Sequence, residues 1–278
     1  MNKLLFIAFF LLGLIACQPS KSDANTTTSV NTDVQSANTL ISEIRNLTNH
    51  GQWQQARLLL DSLHTTYPKQ LEQRRIANTL EDSITYLEAL QTVLYVDSTL
   101  PPLLEQVDIL LKRFKYEKNE QYEDHGKYVH RILATNSNTS RNFIQAYVLD
   151  SKKTVVKSYY FGSYQVNQQT LNVQADGEGN TFHGSNYHFN QDNNHHEIMT
   201  LNEEDALALL NFISTHHNSR VRVEGIGDKT TRNWVYYLND KEKEALSETY
   251  QLGWLMKDIN RLEQMKNAAN VHINRYIQ

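Results

Sequence analysis

The 278-residue sequence has one cysteine, four prolines and ten glycines. A lone cysteine excludes an internal disulfide framework. The 27 basic and 31 acidic residues leave a formal charge of −4, and no basic block stands out. Nucleic acid is therefore a poor partner, since its recognition needs a concentrated cationic surface. Past the N-terminus no apolar run approaches the roughly 20 residues a spanning helix requires. No G-x-S-x-G elbow places a serine nucleophile. Gly225-Ile226-Gly227-Asp228-Lys229-Thr230 has the wrong glycine spacing for a phosphate loop and lies between two expected strands. The Asp176 to Asn180 turn lacks the spacing and distal glutamate of an EF-hand loop.

What is present begins at the N-terminus. Lys3 is followed by an apolar run from Leu4 to Ile15, and Leu14-Ile15-Ala16-Cys17 closes it. The run is too short to span a bilayer and fits the h-region of a secretory signal. These residues resemble a bacterial lipoprotein signal peptide with its lipobox. The resemblance implies cleavage before Cys17 and acylation of that cysteine through a thioether-linked diacylglycerol, with a third, amide-linked chain. The alternative is an ordinary cleaved signal with an incidental cysteine. Each buried methylene adds about 0.8 kcal/mol, so several chains hold far more firmly than one. Gln18 is not the aspartate associated with inner-membrane retention, which by analogy favours the outer membrane. The periplasmic and surface faces both stay open. With Cys17 consumed by lipid, no thiol is left for catalysis.

Five segments follow in order. Residues 1–16 are the expected signal peptide. Residues 17–37 are Ser/Thr/Asn-rich and bury too little to offset ordering entropy, so they read as a lipid-anchored flexible tether with a reach of about 25 Å. Residues 38–122 carry helical periodicity: Leu40, Ile41, Ile44 and Leu47; then Trp53, Ala56, Leu60 and Leu63; then Ile76 through Leu94. Pro101-Pro102 is expected to stop or restart the chain. A fourth helix from Leu103 to Phe114 then fades into the charged stretch Lys115 to Lys127.

Residues 127–238 change period. Short β-branched and aromatic clusters such as Tyr128-Val129, Ile132-Leu133, Phe143-Ile144, Val155-Val156 and Tyr159-Tyr160 alternate with turn chemistry at Asn136-Ser137-Asn138 and Asp150 to Lys153. Weaker strands are expected at 166–175 and 181–189. Thr200 and Glu203 have capping-box spacing for a helix near 201–216. Val221 to Ile226 and Trp234 to Tyr237 are expected to form a hairpin around Gly227-Asp228. Asn239 and Glu242 repeat the capping-box spacing, and a stripe from Leu252 to Tyr276 marks a long helix over 240–277. About 36 residues would run about 54 Å, a length that needs a packing partner. The expected architecture is α+β. N-terminal helical hairpins pack with a long C-terminal helix, and a mainly antiparallel β-rich unit lies between them.

Gly51, Trp53, Ala56, Leu60, Leu63 and Pro68 resemble one tetratricopeptide repeat. One 34-residue period later Gly51 maps to Thr85 and Ala56 to Leu90, so the pattern does not recur. A plain αα-hairpin explains the same residues. The overall layout resembles uncharacterised cell-envelope lipoproteins of diderm bacteria, a family that brings no activity with it.

Candidate chemistry is sparse, and no catalytic residue is identified. His183, His188, His195 and His196 lie near Asp192 and Glu197 and are the candidates for a metal site. Their spacing matches no established one, and Thr200 stands where a second metalloprotease histidine belongs. Gln191 to His196 reads more simply as a solvated loop, so no metal or cofactor is expected. Glu203-Glu204-Asp205 complements a helix dipole and needs no catalytic role. Adjacent strand residues point to opposite faces, so one of each aromatic pair faces solvent, which suits a sugar- or protein-binding face. Tyr160, Tyr187, Trp234 and Tyr236 are the candidate contacts.

The leading expectation is a non-enzymatic binding or scaffolding protein. It would be held to the membrane by its lipid and would meet an envelope protein or a glycan. A metal-dependent hydrolase using residues 183–197 and an envelope-assembly helper are the alternatives.

Overall fold

The structure is a computed structural model that describes residues 25–134, 140–227 and 233–277. Cys17 and the lipobox lie outside the described residues. The chain divides into two compact units, residues 1–88 and 89–278. The architecture is α+β, with six helices, nine antiparallel strands and a long C-terminal helix among the described residues.

The first unit is built on α1 (Asn25–Asn49), α2 (Trp53–Thr66) and the first part of α3 (Leu71–Leu111). Ile41 and Ile44 of α1, Ala56, Leu60 and Leu63 of α2, and Ala77 and Ile84 of α3 form one buried cluster. The α1–α2 turn uses Gly51 at φ +72°, a left-handed conformation glycine adopts without strain. Arg57 of α2 reaches Glu88 of α3 at 2.7 Å and Thr85 at 3.0 Å. Of the residues that resemble a tetratricopeptide hairpin, Ala56, Leu60 and Leu63 are buried in this cluster and Trp53 packs against it, while Gly51 and Pro68 are exposed.

Helix α1 begins at Asn25, well inside the stretch read as a tether. Ala37 is fully buried, and together with Val34 it carries the stripe of Ile41 and Ile44 backwards at helical spacing. The prolines also behave differently from expectation. Helix α3 runs through Pro101 and Pro102 to Leu111 as one element. One turn earlier the hydroxyls of Ser98 and Thr99 donate to the Tyr95 carbonyl at 2.8 and 2.7 Å. Leu100 before the prolines and Leu103, Val107 and Leu110 beyond them pack with Leu252, Leu255 and Ile259, and this burial outweighs the local preference for a stop.

The second unit holds the sheet. Its strands are β1 (Phe114–Glu117), β2 (Lys127–His130), β3 (Phe143–Leu149), β4 (Thr154–Gly162), β5 (Thr170–Ala175), β6 (Glu178–Gln191), β7 (Asn194–Leu201), β8 (Arg222–Ile226) and β9 (Trp234–Tyr237). Their spatial order is β1-β2-β3-β4-β7-β6-β5-β8-β9, antiparallel throughout. The 14-residue β6 joins the two halves, pairing first with β5 and then with β7. Asp176 at φ +51° and Gly177 at φ +84° close the two-residue β5–β6 turn, matching Asp-Gly hairpin chemistry. The β8–β9 hairpin forms as expected, with most of its turn outside the described residues, as is Asn136-Ser137-Asn138.

Several local expectations are corrected. Phe114 to Glu117 is an edge strand, not the end of a helix. Ile132 and Leu133 lie in the short helix α4 (Arg131–Ala134), not a strand. The segment through His195 and His196 is the strand β7, not a solvated loop. Thr200 belongs to β7, and the cap of α5 (Glu203–Thr215) is Asn202, whose side chain accepts from the Asp205 amide at 2.9 Å. The second capping box forms as read: Asn239 and Glu242 exchange bonds of 3.1 and 3.0 Å at the start of α6 (Asp240–Ile277).

The sheet curls. Five strand spacings separate β4 from β9, about 24 Å if flat, yet the rings of Tyr160 and Trp234 are 6.1 Å apart. The concave face buries Ile144, Ala146, Val156, Met199 and Leu201 against Leu209, Leu210 and Ile213 of α5 and Ala245 and Leu246 of α6. Each such large side chain contributes about 1.5–3 kcal/mol. At Gly253, α6 comes close to Thr154 on that face.

Candidate functional site

Strand alternation decides which face each aromatic occupies. Tyr160 shares the concave face with Val156 and is buried, its hydroxyl donating to the Tyr164 carbonyl at 2.8 Å. Trp234 is buried beside it. The Tyr236 hydroxyl donates to Glu242 at 3.3 Å, and burial pushes its pKa up. Tyr160 and Trp234 are therefore core residues, and Tyr236 is half-buried against the same core. Tyr187 is different, being 64% exposed on the opposite face.

Among the described residues, no helix of the buried clusters lies over the central strands of that opposite face. The register lines up a polar row across four strands: Gln145 opposite Lys157, Lys157 opposite Thr200, Thr200 opposite Ser185. The next row is apolar: Phe143 opposite Tyr159, Tyr159 opposite Ile198, Ile198 opposite Tyr187. Phe143 and Tyr159 stack at 4.4 Å, and beyond them His196 stacks on Phe189 at 4.6 Å. Three strand spacings make each row about 14 Å long. Tyr159, the neighbour of the expected Tyr160, is the outward member of its pair. Lys157 shares its parity and was the available signal, because a lysine marks the solvent side of a strand.

Electrostatics single out Lys157. Its ammonium and that of Lys127 each lie 5.8 Å from the centroid of the Tyr147 ring. Lys127 pairs with Glu123 at 3.5 Å, whereas Lys157 has no carboxylate within ion-pair distance among the described residues. Burial, and then the charge of Lys127, holds the Lys157 pKa below the usual lysine range. Burial also pushes the Tyr147 hydroxyl up to about 12.

The histidine candidates are scattered. His195 and His188 share a face with Glu197, while His196 and His183 lie on the other. His196 is buried between Phe161 and Phe189. His183 is exposed and offers only its backbone amide, to Asp205 at 2.8 Å. Among the described residues no three His, Cys, Asp or Glu side chains are placed to share a metal ion.

Glu197 has another task. It is fully buried, and its carboxylate accepts the amides of Val166, Asn167 and Gln168 at 2.6, 2.8 and 2.8 Å and the Asn186 side chain at 3.0 Å. Asn167 sits at φ +56°, which aims successive amides inward as an anion-binding nest. Here the anion is the protein's own, and it fixes the β4–β5 connection.

A second polar node joins α6 to the first strands. Glu248 bonds His130 at 2.8 Å and also pairs with Arg113, which reaches Glu244 at 2.6 Å. His130 Nδ1 accepts from the Ile132 amide at 3.3 Å, so Nε2 carries the proton given to Glu248. Both imidazole nitrogens are engaged, and burial lowers the His130 pKa against the opposing pull of Glu248. Clefts of about 550 and 460 Å³ adjoin this node, sharing Ser214, Ser247 and Glu248. They hold no nucleophile paired with a base among the described hydrogen bonds.

No protein family, curated protein or solved structure matches this chain.

Proposed function

We propose that this chain is a lipid-anchored cell-envelope protein, seated on the outer membrane through Cys17, that binds its target without transforming it. The single observation that carries the binding half of this reading is the sheet face that no described helix covers, where a polar row runs beside an aromatic one. Soluble domains pack a helix or a second sheet over large aromatics unless the surface is used. The anchoring half rests on Leu14-Ile15-Ala16-Cys17; no described helix is long and apolar enough to cross a membrane. The target is an envelope protein or a glycan.

The test combines anchoring and capture. Wild-type protein should fractionate with membranes and Cys17→Ser should not. Affinity purification from gently solubilised envelopes should recover a reproducible component with wild type and lose it with Tyr187→Ala/Lys157→Glu. Membrane association unchanged by Cys17→Ser would remove the anchor. Recovery of the same component by the face variant would remove the binding face.

A further inference from the structure

We infer that the ligand of the open sheet face is an acidic oligosaccharide, read by the row Gln145, Lys157, Thr200 and Ser185 with Tyr159 and Tyr187 alongside. The inference rests on the binding-face reading above and adds the chemistry of the ligand.

At Lys157 and Thr200 the backbone is paired on both sides, so an extended peptide finds no ladder to join at the middle of the row; that mode requires an unpaired edge, which among the described pairings begins only at residues 184–191 of β6. Recognition must come from side chains. The side chains present are an amide, an ammonium and two hydroxyls in one line, with apolar rings in the next. Thr200 and Ser185 make no side-chain hydrogen bond to the described residues. A sugar chain carries hydroxyls on its rim and apolar C–H faces, which matches one polar row beside one aromatic row. Tyr187, with most of its surface exposed, has ring area free for such contact.

Lys157 is half-buried, it shares the Tyr147 ring with Lys127, and the Glu123 carboxylate acts on it only from beyond ion-pair distance. Burying a charge without a partner is costly, and two like charges flanking one ring add to the cost. The Glu123 carboxylate already accepts from Lys127 at 3.5 Å and from the Asn119 amide at 2.8 Å. A carboxylate, sulfate or phosphate group on the sugar would supply the counter-charge that no described carboxylate brings within ion-pair distance. A neutral glycan would not.

Titration calorimetry of the full mature chain carrying Cys17→Ser separates the possibilities, using oligogalacturonate, neutral cellohexaose and poly-glutamate as probes. Saturable binding of oligogalacturonate is expected, weakening with salt, with cellohexaose and poly-glutamate at least about tenfold weaker. Lys157→Gln should lower oligogalacturonate affinity about tenfold and Tyr187→Ala should lower it too, both variants keeping the wild-type circular dichroism and melting temperature. Equal binding of cellohexaose, or indifference to Lys157→Gln, would overturn the acidic specificity while a sugar-binding face stands. Equal binding of poly-glutamate would overturn the sugar. If no probe binds, the inference falls, and the envelope capture experiment still judges the binding face separately.

Discussion

The buried carboxylate of Glu197 accepts the amide of Asn167 at 2.8 Å across 30 residues of sequence. With the Val166 and Gln168 amides it ties a turn to the central strand of the sheet. Glu197→Gln would set an amide donor against backbone donors. Hydrogen bonds to charged groups contribute about 1.5–3 kcal/mol each, so a loss of about 3 kcal/mol is expected. At about 2–4 °C per kcal/mol the melting temperature should fall by about 6–12 °C. Thermal unfolding by circular dichroism measures it; a variant as stable as wild type would show that the nest is incidental.

Gly253 lets α6 lie against Thr154. A Cβ there would collide with Thr154 Oγ1, so Gly253→Ala should destabilise by about 1–3 kcal/mol despite alanine's better helix propensity. In a Thr154→Ala background the same substitution should become neutral or favourable by up to about 1 kcal/mol. A double-mutant cycle in urea reads the coupling. Additive effects would place the close approach elsewhere.

His130 makes stability depend on pH. Its folded pKa is lowered, chiefly by burial, so the unfolded chain binds the proton more readily. Stability is then fully present above the unfolded value near 6.5 and is lost as pH falls from there toward the folded pKa. Urea midpoints measured at pH 7.5 and 5.5 should show a drop in wild type that His130→Gln reduces. An identical drop in the variant would assign the acid sensitivity to other groups.

Tyr160 of β4 and Tyr187 of β6, on opposite faces of the sheet, give opposite outcomes. Tyr160→Ala empties core space and should cost about 3–5 kcal/mol. Tyr187→Ala, exposed on the other face, should change stability by no more than about 0.5 kcal/mol while reducing capture of the envelope component. Chemical denaturation of both variants distinguishes core from surface.

Periodicity and caps made much of the fold legible. The stripes of α2 and α6, the Asn239/Glu242 box and the Asp176-Gly177 turn each carried a local physical signal that tertiary packing did not oppose. Strand β7 was hidden because Asn194 to Glu197 is polar in composition, and what buries His196 and Glu197 is an aromatic sandwich and a nest assembled from distant residues. Pro101-Pro102 misled because the packing of Leu103, Val107 and Leu110 on α6 outweighs a local breaker. Alternation showed that one of Tyr159 and Tyr160 must face outward, and Lys157, two residues from Tyr159, held the phase.

The most direct measurement is side-chain footprinting of the protein with and without the component it retains from envelopes. The account predicts that Tyr159, Lys157 and Tyr187 become protected while Trp254 and Glu248 beside the α5–α6 clefts do not change. Protection confined to those clefts, with the sheet face still labelled, would contradict it.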